Sequence, residues 1–172
     1  WQLDLDKLLA ALTPETTMLM VNSPNNPTGW TLSREEQKAI LARCREYGIW
    51  LLADDAYERL VFDGSGCAPS FFDIADTSER LVSASTFSKS WLMTGWRLGW
   101  LVAPSPFIEQ LGKVIEYNTS CAPVFVQRAG DAAIKGGDAV IKRTQTRFLA
   151  ARDHLCAALN AMPGVQAPPA PG

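Results

Sequence analysis

The feature that most constrains the fold is a run of five apolar residues, Ile49-Trp50-Leu51-Leu52-Ala53, that ends at two aspartates. An apolar run without alternation is typical of a central strand in a parallel sheet, because helices cover both faces of such a strand. Two further short apolar segments, 16–21 and 81–84, have the same character. We therefore expect a parallel sheet whose strands end beside polar residues.

Segments with helical periodicity alternate with these strands. Ser33 and Glu36 have the spacing of a capping box, and they begin an amphipathic helix that Gly48 is expected to end. The remaining predicted elements are helices at 3–12, 106–117, 124–135 and 138–161 and a fourth strand at 97–103. The alternation predicts an α/β fold of three layers, with a mostly parallel sheet flanked by helices. Ligands of such sheets bind outside the carboxyl ends of the strands.

One of these strand ends carries a group of residues with distinctive chemistry. Lys89 ends the segment Ser85-Thr86-Phe87-Ser88-Lys89, and Arg97 follows eight residues later within Gly95-Trp96-Arg97-Leu98-Gly99. The lysine amine can form a Schiff base with an aldehyde, while hydroxyls and a planar guanidinium can hold a phosphate dianion. These groups together suit pyridoxal 5'-phosphate.

Two upstream segments supply the other groups that this cofactor needs. They are Asn22-Ser23-Pro24-Asn25-Asn26-Pro27-Thr28-Gly29 and Asp54-Asp55-Ala56-Tyr57. Together with Lys89 and Arg97 they resemble, in order and spacing, the class I and II aminotransferases of the aspartate aminotransferase superfamily. The resemblance extends from about residue 3 to residue 172, and its one conservative departure is Thr86, where the family more often has serine.

The resemblance implies a role for each motif residue. Lys89, Asp54 and Tyr57 would be catalytic: the lysine as Schiff base and general base, the aspartate against the pyridine nitrogen, and the tyrosine at the phenolic oxygen. Asp55, next to Asp54, is better interpreted as a turn residue, because only Asp54 lies three residues before Tyr57. The residues implied to contact the cofactor are Asn26, Asp54, Tyr57, Thr86, Ser88, Lys89 and Arg97.

The same resemblance implies an activity and leaves two alternatives open. The first expectation is an aminotransferase that moves an amino group from an amino acid to a 2-oxo acid, as a homodimer. Relatives with the same lysine and aspartate catalyse beta-elimination or ring-forming elimination, so a lyase or synthase is the first alternative. The second is a ligand-sensing, aminotransferase-like domain of a transcription regulator.

The two ends of the sequence suggest a piece of a longer protein. The chain begins at Trp1 without a methionine and stops in the proline-rich segment 167–172. By resemblance, residues 1–172 would be part of the cofactor-binding large domain, and 138–172 would include the start of the linker helix to a C-terminal small domain. That small domain carries the family's substrate-carboxylate arginine, so we expect the 172 residues alone to be catalytically incomplete.

Composition argues against several other classes of protein. The net charge is −2 and the basic residues are scattered, so the sequence does not predict the basic surface that binds nucleic acid. The longest apolar run is far shorter than the roughly 20 residues of a membrane span, and no signal peptide is visible, so we expect a cytoplasmic protein. Four widely spaced cysteines do not predict a zinc site or any other metal site, and we expect them to be free, mostly buried thiols.

Overall fold

The computed structural model describes residues 1–172, and its core is a four-stranded sheet with strand order β1-β2-β3-β4. The strands are β1 (Met18–Asn22), β2 (Trp50–Asp54), β3 (Leu81–Thr86) and β4 (Gly99–Val102). The first three are parallel, and β4 is antiparallel to β3. The predicted mostly parallel α/β sheet is therefore confirmed.

The direction of β4 follows from the short connection that precedes it. Parallel neighbours need a long crossover, whereas residues 87–98 between β3 and β4 contain only a 3-10 turn, Thr94–Trp96. Because β4 runs backwards, its first residue, Gly99, pairs with the last residue of β3, Thr86. The start of β4 and the ends of β1, β2 and β3 thus lie at one edge of the sheet, which we call the carboxyl edge.

Five helices surround the sheet, and the best capped is the one predicted from Ser33 and Glu36. The helices are α1 (Leu5–Ala11), α2 (Arg34–Tyr47), α3 (Ser105–Thr119), α4 (Val124–Gly136) and α5 (Asp138–Asn160). In α2 the Ser33 hydroxyl accepts from the Glu36 N–H, and the Glu36 carboxylate accepts from the Ser33 N–H at 2.7 Å. Gly48 ends α2 in the left-handed conformation, with φ of +66°. Both ends of α2 thus agree with the sequence prediction.

The main core lies between α2 and one face of the sheet. It contains eleven buried side chains: Leu12, Val21, Leu32, Ile40, Leu41, Cys44, Ile49, Leu51, Ala53, Phe71 and Leu81. Ile40 of α2 is fully buried, and Leu51 of β2 is 1% exposed. These side chains are therefore excluded from water on the α2 side of the sheet.

The opposite face of the sheet is less completely covered than the α2 face. Helix α3 reaches it through Phe107, whose ring lies 5.2 Å from that of Trp50. A groove of about 480 Å³ separates α3 from β3 and β4. Met18 and Met20 of β1 remain 51% and 60% exposed. Helix α3 supplies the third layer, so the predicted flanking of the sheet by helices is confirmed, although α3 contacts only part of this face.

The cysteines are free thiols, but the expectation that most of them are buried is wrong. Cys44 packs in the core, whereas Cys67 and Cys121 are exposed and Cys156 is half-buried. Burial raises the pKa of the Cys44 thiol to about 11. The difference arises because Cys44 lies on the α2 face that meets the sheet, while the others lie in a loop or on outer helix surfaces. No helix combines the length and the apolar character needed to cross a bilayer.

Candidate functional site

Every residue proposed for the site from the sequence lies at or just beyond the carboxyl edge. Asn22 ends β1, Asp54 ends β2 and Thr86 ends β3, and Arg97 lies two residues before the start of β4. Asn22 and Asp54 are register partners, so their side chains lie on the same face of the sheet. Sheet topology alone therefore gathers residues that are up to 75 positions apart in the chain.

Three predicted residues, Asn26, Tyr57 and Lys89, lie close together at this edge. The Asn26 side-chain amide donates to the Tyr57 hydroxyl oxygen at 3.0 Å. The Lys89 amine lies over the Tyr57 ring, 5.5 Å from its centroid. Because the tyrosine oxygen accepts from Asn26, its own proton remains available for donation to another atom. The group thus presents an amine and a phenol that are held by residues from three different loops.

Thr86 and Ser88 form a second group beside Lys89. The hydroxyl oxygens of the two residues are 3.0 Å apart, and the Thr86 oxygen accepts from the Ser88 N–H at 3.1 Å. The Thr86 hydroxyl also donates to the Leu98 carbonyl at 3.2 Å, which ties the end of β3 to the segment before β4. Ser88 is buried. Two hydroxyls and a backbone turn are therefore fixed directly before the lysine.

Arg97 is near this hydroxyl group in the chain but contacts none of the other predicted residues. Its guanidinium is exposed and donates to the Thr94 carbonyl at 2.9 Å. Its backbone is left-handed, with φ of +52°, which is uncommon for a residue other than glycine. This conformation follows the 3-10 turn and directs the chain into β4. The guanidinium is thus placed by a tight turn beside the end of β3.

The structure distinguishes the two aspartates that follow β2. Asp54 lies on the incompletely covered face with Asn22, and one carboxylate oxygen accepts from the Ala56 N–H at 3.2 Å. Asp55 turns the other way, and its carboxylate accepts a hydrogen bond from the Ser83 hydroxyl. Burial, reinforced by the charge of Asp54, raises the pKa of Asp55, while the Ser83 hydrogen bond opposes this shift. Asp55 is therefore held by an internal hydrogen bond, whereas Asp54 shares a sheet face with Asn22.

A further carboxyl group behind the site was not predicted from the sequence. Burial, together with the charge of Asp55, raises the pKa of Glu58 to about 7, and nearby Arg59 only partly opposes this. Arg59 itself pairs with Asp138 at 3.3 Å. A glutamate in a polar turn carries no sequence signal for burial, and only the fold brings the loop at 63–69 beside it, where the Ala68 N–H donates to the Glu58 carbonyl at 2.7 Å.

Asn22 is the second residue that sequence reasoning did not single out. Its side-chain oxygen accepts from the Asn26 N–H at 2.8 Å, and its side-chain nitrogen donates to the Asp54 carbonyl at 3.2 Å. An asparagine before a proline-rich turn is interpreted by default as turn chemistry. Only the pairing of β1 with β2 reveals that this side chain connects two site segments.

The residues present fit a phosphorylated aldehyde. Lys89 offers an amine for a carbonyl carbon, Thr86 and Ser88 offer hydroxyl donors, and Arg97 offers a planar guanidinium two residues from β4. Asp54 offers a carboxylate with an oxygen free of protein donors, as a protonated ring nitrogen requires. The donor set thus matches pyridoxal 5'-phosphate group by group.

Comparison with known proteins gives a consistent result. The family model of aminotransferase class I and II matches residues 1–172. The chain is 33% identical over 171 residues to an aspartate aminotransferase of Musicola paradisiaca, covering 96% of the chain and 41% of that protein. It is 36% identical over 135 residues to aromatic-amino-acid aminotransferase 2 of Thermococcus litoralis, covering 78% and 34%.

The solved structures that resemble this chain are also aminotransferases. The aspartate aminotransferase from Rhizobium meliloti superposes with a TM-score of 0.90 at 32% identity, covering 99% of this chain and 43% of that one. The aromatic aminotransferase from Pyrococcus horikoshii superposes with a TM-score of 0.86 at 31% identity, covering 94% and 44%. The chain thus spans about two fifths of the length of the relatives and structures that it matches.

Proposed function

The chain belongs to the class I and II aminotransferase family, and from that membership we propose that the protein transfers an amino group from an amino acid to a 2-oxo acid. Its cofactor is pyridoxal 5'-phosphate. The observation that carries the proposal is the meeting of Asn26, Tyr57 and Lys89 at one sheet edge. When bound, the cofactor supplies an aldehyde that condenses with amines and a ring that accepts electrons when an alpha proton leaves.

Lys89 is the proposed covalent anchor and proton carrier. Its amine would hold the cofactor aldehyde and, when free, would act as the base that takes up the substrate alpha proton and delivers it again. Lys89 is half-buried beside the Tyr57 ring, and this position supports the role because it keeps the amine close to the other proposed cofactor ligands. The ordered hydroxyls of Thr86 and Ser88 fix the backbone that leads into it.

Asp54, Tyr57 and Asn26 are proposed to control the charge on the ring. Asp54 would hold the pyridine nitrogen, and its negative charge would favour the protonated form of that nitrogen. The Tyr57 hydroxyl donates to the phenolic oxygen, and Asn26 holds the tyrosine in the donating orientation. The shared face of Asn22 and Asp54 supports this placement, because it directs the carboxylate to the side from which Asn26 approaches.

Thr86, Ser88 and Arg97 are proposed to bind the phosphate. A guanidinium can form two parallel hydrogen bonds with a phosphate, and hydroxyls add donors at lower charge. The 3.0 Å contact between the two hydroxyl oxygens supports a common ligand for both. Arg97 would exchange its bond to the Thr94 carbonyl for the stronger charged pair.

Organisation and assembly follow from the same family membership. We propose that residues 1–172 form part of the cofactor-binding large domain, with 138–172 including the start of the linker to a small domain. Exposed apolar side chains at the junction of α3 and α4, including Tyr117 and Phe125, support a homodimer. Four unpaired cysteines support a cytoplasmic location, where thiols stay reduced.

The test is an absorption spectrum of the full-length gene product that contains this sequence, as wild type and as Lys89→Ala, with pyridoxal phosphate. We expect a visible band that requires Lys89. Addition of glutamate, aspartate or an aromatic amino acid should convert this band to a near-ultraviolet one and release the matching oxo acid.

Three other results would redirect or overturn the proposal. Release of ammonia with the oxo acid, or of a ring-closed product, without the near-ultraviolet band would identify a lyase or synthase. A Lys89-dependent band that no amino acid converts would identify a sensor domain. Absence of any Lys89-dependent band would overturn the assignment of the cofactor site itself.

A further inference from the structure

We propose that Asn22 is a positioning residue, which holds the Asn26 turn against the end of β2 and so sets the contact between Asn26 and Tyr57. This inference rests on the proposed function, because its effect is transmitted to the bound cofactor. Asn22 is the last residue of β1, and its side chain is half-buried at the carboxyl edge. It touches neither Tyr57 nor Lys89, so its action is indirect.

The hydrogen bonds of Asn22 connect two strands and one turn. The side-chain oxygen accepts from the Asn26 N–H at 2.8 Å and from the Asn25 side-chain amide at 3.3 Å. The side-chain nitrogen donates to the Asp54 carbonyl at 3.2 Å. One amide group thus ties the backbone of the residue that contacts Tyr57 to the backbone of the residue three positions before Tyr57.

The contacts form a closed circuit. From Asn22 one arm runs through the Asn26 backbone and side chain to the Tyr57 hydroxyl. The other arm runs through the Asp54 carbonyl and along the chain to the same tyrosine. The 3.0 Å contact between Asn26 and Tyr57 depends on both connections. Loss of the Asn22 side chain removes its bonds to the Asn26 N–H and the Asp54 carbonyl, so the position of Asn26 relative to Tyr57 is no longer fixed by them.

The turn has other internal hydrogen bonds, but these do not set its position relative to β2. The Asn25 carbonyl accepts from the Gly29 N–H at 2.8 Å, and the Asn25 side-chain oxygen accepts from the Thr28 hydroxyl at 2.7 Å. Both bonds stay within residues 25–29. The Ser23 N–H also donates to the Asp54 carbonyl, at the longer distance of 3.3 Å. Asn22 therefore supplies the side-chain connection that fixes the turn relative to the end of β2.

An amide at this position can accept and donate hydrogen bonds at the same time. The side chain must accept on one side and donate on the other, which leucine, alanine and ionised aspartate cannot do. Leucine has a similar size, so Asn22→Leu removes both bonds without adding charge. Met20→Ala is a matched control, because Met20 lies two residues earlier on the same strand face and is 60% exposed.

The experiment measures the pH midpoint of the visible absorbance of bound pyridoxal phosphate in the full-length gene product. Hydrogen bonds donated to an ionised oxygen favour its charged form and lower the midpoint, so a variant that weakens the Tyr57 donor, which Asn26 orients, should raise the midpoint. We expect Asn26→Ala and Asn22→Leu both to raise the midpoint, the latter by about half a pH unit. Met20→Ala should leave it unchanged.

A double-mutant cycle separates positioning from general loss of stability. If Asn22 acts through Asn26, Asn22→Leu should add no shift in the Asn26→Ala background. A thermal unfolding midpoint recorded for each variant shows how much stability is lost, and Asn22→Ala replaces the leucine variant if that one does not fold. An unchanged midpoint in Asn22→Leu, or an equal shift in both backgrounds, would overturn the inference. Absence of the wild-type band would instead overturn the proposed function.

Discussion

The two faces of the sheet differ in what they contribute, although they are built from alternate residues of the same strands. On the α2 side, Leu51, Ala53 and Leu81 are at most 2% exposed and pack in the main core. On the opposite side Met20 of β1 is exposed. On that side Asn22 ends β1 and Asp54 ends β2. One face therefore provides stability and the other, at its carboxyl edge, provides the candidate chemistry.

This difference shows how neighbouring residues acquire separate roles. Ala53 and Asp54 are adjacent in the chain, yet one is buried in the core and the other faces the site. Side chains alternate across a strand, so neighbouring positions should respond differently to substitution. A change at a core-facing position should lower the free energy of unfolding and leave the chemistry of the site intact. A change at the next position should alter that chemistry and leave the free energy of unfolding nearly unchanged. The following predictions test that separation.

The largest effect is expected at Lys89. Lys89→Ala removes the proposed anchor and proton carrier, and transamination by the full-length gene product should fall about 10³-fold or more. Its free energy of unfolding without cofactor should change little, because the lysine is not in the core. Steady-state kinetics and denaturant unfolding measure the two quantities. Lys38→Ala, at an exposed position on α2, is the control that should retain activity.

The converse effect is expected at Leu51. Leu51→Ala leaves a cavity beneath α2, and the free energy of unfolding should fall by about 3 kcal/mol. Met20→Ala, on the opposite face of the neighbouring strand, should cost less than about 0.5 kcal/mol. Urea unfolding of both variants checks this. Similar losses for the two would mean that the faces are equally buried in the working protein, which would break the comparison.

A smaller effect concerns Glu58, which lies in the turn after β2. Its pKa is raised to about 7 from an unfolded value of 4.5, so the folded state favours the protonated carboxyl. The stability from this group is complete below pH 4.5 and is lost as the pH rises through about 7. After allowance for solvent screening, we expect wild type to lose about 1 kcal/mol relative to Glu58→Gln between pH 4.5 and pH 8.

Unfolding curves at several pH values test this last prediction. The difference between wild type and Glu58→Gln should be greatest at alkaline pH. A difference that is constant with pH would show that Glu58 titrates in the folded state as it does in the unfolded chain.

Local patterns in the sequence predicted the strands, the capped helix α2 and the site motifs, because apolar runs and caps depend on neighbouring residues. What they missed depends on tertiary contacts. The contacts of Asn22 appear only when β1 pairs with β2, and the contact between Glu58 and the loop at 63–69 only in the folded chain. The exposure of Met20 depends on where α3 packs, and the pattern of residues in β1 does not predict that position.

The most direct test of the account is to locate the covalent attachment of the cofactor. The full-length gene product is incubated with pyridoxal phosphate and reduced with borohydride, which makes a carbon–nitrogen linkage permanent, and its peptides are sequenced by mass spectrometry. The account predicts the modified residue to be Lys89, with no labelled peptide of that segment in Lys89→Ala. Label spread over surface lysines such as Lys38 and Lys113, with Lys89 unmodified, would contradict it.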